Sequence, residues 1–89
     1  MLVAQFALED QVLSPDLELL RPAAEMIDTS PDSVAALVIE SVQYLRDLGD
    51  VNGSSLVNID IQVIDERLWV VGRMISAPDV IDTFCIVHV

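Results

Sequence analysis

The sequence predicts an α+β fold: an antiparallel sheet of about four strands with two helices on one face, in the order β-α-α-β-β-β. Three observations carry this. A short alternating stretch opens the chain, two Ser-Pro-Asp tripeptides sixteen residues apart each introduce apolar residues at helical spacing, and nearly everything after residue 55 alternates with the period of a strand. The 89 residues form a single domain, 1–89, because a chain of this size buries only about 60–65% of the surface its unfolded form exposes. No linker or low-complexity run divides it.

In the first strand Leu2, Ala4, Phe6 and Leu8 alternate with Val3, Gln5 and Ala7, and Glu9-Asp10 closes it. Ser14-Pro15-Asp16 then offers a helix start, with a capping hydroxyl, proline at the first helical position and an acid facing the positive end of the dipole. Leu17, Leu20 and Ala24 share a face of this helix. Pro22 lacks an amide proton and crowds the carbonyl four residues earlier, so the helix is expected short, kinked or split.

Ser30-Pro31-Asp32 opens the second and better helix, which runs to about Leu48 with Gly49 placed to end it. Its apolar stripe is Val34, Leu37, Val38, Ser41, Val42, Leu45 and Leu48, leaving Asp32, Glu40, Gln43 and Asp47 toward solvent. Ile39 breaks the polar face, and beside Ala35 and Ala36 it offers a second contact surface. Residues 50–55 are turn chemistry. Val57, Ile59, Ile61 and Val63 alternate with Asn58, Asp60 and Gln62, Asp65-Glu66 turns the chain, and Arg67–Ile75 returns as the antiparallel partner. After a turn at Ser76–Asp79, Val80–Val89 reads as a strand buried on both faces, placed inside the sheet or at an edge closed by another subunit. The sequence leaves the pairing partner of the first strand open, with the last strand, parallel or antiparallel, one candidate.

Charge bounds the partners. Fifteen Asp and Glu stand against four Arg and no Lys, for a net charge of −11, while 53% of the residues are hydrophobic and mean hydropathy is +0.53. Arg21, Arg46, Arg67 and Arg73 do not compensate for the missing lysines. The acids are spread along the chain as a coat rather than gathered in a tail, and the apolar content exceeds that of a disordered acidic segment. Nucleic acid is excluded as a direct partner, since phosphates would be repelled. The excess apolar content points to a further buried surface, in a homodimer or against a target. No basic leader segment and no apolar run of about 20 residues is present, so no membrane association and a cytoplasmic location are expected.

No catalytic, cofactor or metal motif emerges. His88 is the lone histidine and has no second ligand at zinc spacing. Cys85 lies between Phe84 and Ile86 with no basic neighbour to activate it, so it reads as an inert buried thiol. Asn52-Gly53-Ser54-Ser55 is too poor in glycine to cradle phosphate. Asp50 and Asn52 resemble the start of a calcium loop, but Ile61 stands where the bidentate Glu is needed. Asp65-Glu66 reads as a solvated hairpin tip rather than a hydrolytic dyad.

Binding remains. Asp28, Asp32, Glu40, Asp47 and Asp50 along the second helix, with Asp60, Asp65 and Glu66 on the wet side of the sheet, are the expected contact acids, and Ile39 and Trp69 the apolar anchors. Carboxylates one helical turn apart stand about 5–6 Å from one another, close to the spacing of successive phosphates. In physical type the chain resembles the small acidic inhibitors that phages and mobile elements direct at nucleic-acid enzymes, including anti-CRISPR proteins and nucleic-acid mimics. No motif carries that resemblance. It implies a non-enzymatic inhibitor that binds a basic nucleic-acid-binding protein, such as a CRISPR effector or nuclease, in the cytoplasm of a bacterial host. The alternative is a structural or assembly protein that homo-oligomerises through its C-terminal strand.

Overall fold

The computed structural model describes residues 1–7, 15–76 and 79–87. Six elements follow in the order β1 (Leu2–Ala7), α1 (Leu17–Met26), α2 (Pro31–Asn52), β2 (Ser55–Ile64), β3 (Arg67–Ser76) and β4 (Asp79–Val87). Two helices pack on an antiparallel sheet, as the α+β expectation requires. The sheet order is β1-β2-β3-β4, with every neighbouring pair antiparallel. Leu8 and the Glu9-Asp10 stop, the Ser14 cap, the Ala77-Pro78 turn, His88 and Val89 lie outside the described residues.

The helices cover one face only. Ile59, Ile61 and Val63 of β2 and Leu68, Val70 and Met74 of β3 alternate inward, against Leu20, Ala23 and Ala24 of α1 and Val34, Val38, Val42 and Leu45 of α2. All are buried. At about 25 cal/mol per Å² of apolar surface, each Leu or Ile fully removed from water contributes roughly 2–3 kcal/mol. The thinnest principal extent is 17 Å, which leaves room for two layers, one of helix and one of sheet.

Two glycines shape the contact between α2 and the sheet. A Cβ at Gly72 would lie 2.8 Å from both Leu45 Cδ1 and Leu56 Cδ1, so the bare backbone makes room for the two leucines. Leu56 reaches the core because a bulge between Leu56 and Asn58 resets the alternation of β2. Leu56, rather than the expected Val57, therefore joins the helix side. Ser41 is buried within the same layer, its hydroxyl donating to Leu37 O at 2.7 Å and accepting from Cys85 Sγ at 3.7 Å. Cys85 is half-buried rather than buried. For the rest of β4, the expectation of burial on both faces falls on side chains outside those described, apart from Thr83, which is half-buried.

Several boundaries differ from expectation. The first helix starts after Asp16, whose carboxylate accepts from Glu18 N–H at 2.9 Å, two residues beyond the Ser14 cap. It continues through Pro22 for ten residues, held by its apolar contacts. The second helix does begin at the Ser30 cap, where Oγ accepts from Ser33 N–H at 3.2 Å. It passes Gly49 and ends at Gly53, which adopts φ 72°, so Asp50, Val51 and Asn52 are helical rather than a turn. Ser54 N–H donates back to Gly49 O at 2.8 Å, and a Cβ at Gly49 would lie 2.8 Å from Ser54 O. Gly49 is thus the residue onto which the closing turn folds, and Gly53 makes the turn.

The structure gives the first strand its partner. Leu2 stands opposite Gln62 and Phe6 opposite Ile59, so β1 pairs with β2 and not with the last strand. β1 and β4 are then the two edges of the sheet, far from each other.

Candidate functional site

The helical repeat sets the geometry of the acids. At 100° per residue, Asp32, Glu40, Asp47 and Asp50 fall within an arc of about 80° on the outer face of α2, and 18 residues of rise spread them over about 27 Å. All four are exposed. Gln43 lies in the same arc and donates from Nε2 to Asp47 Oδ1 at 2.9 Å, which orients that carboxylate. Ile39 borders the arc at 47% exposure, and Tyr44 flanks its other side. Asp47 and Asp50 stand one turn apart, but Asp32, Glu40 and Asp47 follow at steps of about 10–12 Å. The row is therefore sparser than the expected spacing of successive phosphates.

A second group of acids lies at one end of the molecule. Contacts of Ser41 with Cys85, of Leu45 near Gly72 and of Gly49 near Met74 run α2 along β3. Its N-terminal end consequently points toward the β2–β3 hairpin, and Asp28 and Asp32 share that end with Asp65 and Glu66. The hairpin is a two-residue turn closed by Ile64 opposite Arg67, with φ 52° at Asp65 and 63° at Glu66. Both values are those of a type I′ turn, which usually takes Asn-Gly or Asp-Gly, so Asp65 suits its position and Glu66 stands where glycine is usual. Asp28 has φ 57° and ends α1 in the way Gly53 ends α2, with Thr29 N–H donating to Ala24 O at 2.9 Å. Among the described residues, every non-glycine at positive φ is one of the expected contact acids.

Asp60 and Trp69 do not join these groups. Both lie on the sheet face away from the helices, with Gln5 and Val71 beside Asp60 and Gln62 beside Trp69. Asp60 is half-buried, and its Oδ1 is buried without a hydrogen-bond partner among the described residues, as is Asn58 Oδ1 next to it along the strand. The expected wet side of the sheet is thus partly dry at its centre. Trp69 and Ile39, the two expected anchors, stand on opposite faces of the molecule.

Sequence reasoning missed the acids of α1. Glu18 and Glu25 share the outer arc of that helix, a relation the same 100° repeat shows directly. Arg21 bonds Glu18 through Nη2 at 2.8 Å and Nε at 3.3 Å. This hydrogen bonding, reinforced by charge attraction, holds the Glu18 carboxyl below its ordinary range and raises Arg21. The pair is solvent-exposed and contributes little to stability.

Fold and surface together define an acidic two-layer α+β domain with most of its described acids on the helix layer and at one end. No protein-family model, no curated protein and no solved structure matches the chain. Among the described residues there is no group of three metal-binding side chains, and no helix is long and apolar enough to cross a membrane.

Proposed function

We propose that this protein is a stoichiometric, non-catalytic inhibitor, of the kind phages and mobile elements deploy. It binds a basic nucleic-acid-binding protein such as a CRISPR effector or nuclease, presenting acid where that protein expects phosphate. The observation that carries the reading is that acids occupy positions the fold itself disfavours. Glu66 holds left-handed backbone that glycine or asparagine would adopt with less strain, and Asp28 stands at a left-handed, helix-ending position where glycine is the usual residue. Asp50 sits in the last turn of α2, which has no basic residue, against a dipole that favours cations there by about 0.3–1 kcal/mol. A surface selected only for solubility has no need of acids at these places. The α2 row also spans about 27 Å, the axial length of roughly eight base-pair steps at ~3.4 Å each.

In this reading the acids steer the encounter and Ile39 anchors it, while the target is a cytoplasmic protein of the host and no cofactor or metal takes part. Capture from a bacterial lysate at low salt, eluted with stepwise salt and identified by mass spectrometry, tests it. Recovery of a nucleic-acid enzyme in the salt step is expected, with affinity falling about tenfold or more from 50 to 300 mM salt. The triple variant D32N/E40Q/D47N should lose the capture. A partner retained by that variant, or indifferent to salt, overturns the reading. A second reading, assembly through the C-terminal strand, draws support from the position of β4 at an edge of the sheet, where one side of its backbone has no neighbouring strand among the described residues.

A further inference from the structure

We propose that the sheet face away from the helices is a homodimer interface, with a second copy of this chain packing sheet against sheet. Charge partition is the first ground. Among the described side chains, this face carries Asp60 against Arg67 and Arg73, while the acids of α1, α2 and the hairpin tip lie on the other layer or at the end. Two chains of net charge −11 can therefore meet here with their acidic coats outward. A basic partner gains little from this face and much from the helix layer.

Area is the second ground. Strands of six, ten, ten and nine residues, at ~3.3 Å per residue and ~4.8 Å between strands, give a planar footprint of about 550 Å². Counted on both copies this clears the roughly 1,000 Å² that a specific interface needs. The face also carries exposed apolar side chains. Leu2 and Ile64 toward the hairpin and Ile75 at the opposite end are 52%, 41% and 47% exposed, so a second sheet would remove them from water.

Symmetry is the third. Gln5 and Gln62 carry amide donors and acceptors on this same face. A two-fold axis sets a patch against itself, so the amides of one copy can meet those of the other. Sheets packed in this way keep their strands within about 30° of one another and stand about 10 Å apart.

The dimer is independent of the inhibitor reading, because it uses the opposite face and responds to salt in the opposite sense. Sedimentation equilibrium of the full chain from about 1 to 200 μM should give twice the 9.8 kDa chain mass at the upper end. Raising salt should tighten this dimer by screening the residual repulsion. Emission of Trp69, the single tryptophan, should move to the blue over the same concentration range as its face dries. I64E and I75E change exposed side chains and leave the monomer folded by circular dichroism, and each should weaken association tenfold or more. A chain monomeric throughout overturns the proposal. So does a dimer indifferent to both substitutions, which would move the contact to the edge of β4.

Discussion

Replacing Asp60 with valine should stabilise the protein. Its Oδ1 is buried with no hydrogen-bond partner among the described residues, on a strand face where the cross-strand neighbours are Gln5 and Val71. A buried acceptor left unsatisfied costs about 1–3 kcal/mol, and valine exceeds aspartate in strand preference by up to about 1 kcal/mol. A gain of about 2 kcal/mol is therefore expected from D60V. At a urea dependence of about 1 kcal/mol per molar for a small domain, the unfolding midpoint should rise by roughly 1–2 M. The assay is urea unfolding followed by circular dichroism, run at two low protein concentrations so that association does not contribute. D60N separates the causes, since it removes the charge but keeps a polar group in the same place, and it should recover less than half of the gain. An unchanged or lower midpoint for D60V would refute the assignment of Asp60 Oδ1 as a costly orphan. Equal gains for the two variants would assign the effect to net charge instead.

The positive-φ residues make a mirrored pair of expectations. G53A should cost about 1 kcal/mol although nothing crowds the site, while D28G and E66G should each gain about 0.5–1 kcal/mol after the extra chain entropy of glycine is subtracted; thermal or urea midpoints check both signs. Leu45 is fully buried against Gly72, so L45A should cost about 2–5 kcal/mol by urea unfolding, and a loss under 1 kcal/mol would mean that Leu56 collapses into the space.

The candidate site was legible only in part. The acids of α2 share one outward arc because the 3.6-residue period fixes which residues share a side, and Asp32, Glu40 and Asp47 could be placed together from spacing alone. Asp60 could not be placed correctly. Alternation assigns it to the face opposite Ile59 and Ile61, but its burial depends on how neighbouring strands crowd that face. The backbone strain at Asp28 and Glu66 was equally invisible, since neither residue type announces a left-handed turn as Asn-Gly would.

By itself the sequence determined the helix starting at Ser30, the antiparallel hairpin turning at Asp65-Glu66 and the inward face of β2 from Ile59 to Val63, because each follows from contacts within a few residues or from a period of 2 or 3.6. Only the tertiary structure decided that β1 pairs with β2, that α2 runs past Gly49 to Gly53, and that Leu56 replaces Val57 in the core. A period tells which side of a strand is apolar but carries no information about which strand lies next to it. A helix with two candidate glycines ends where the closing turn can pack, and at Gly49 that turn needs the missing Cβ rather than a stop. The separation of the acidic helix layer from a sheet face nearly neutral in its described side chains has the same origin: local pattern makes the two faces, and packing decides how each is covered.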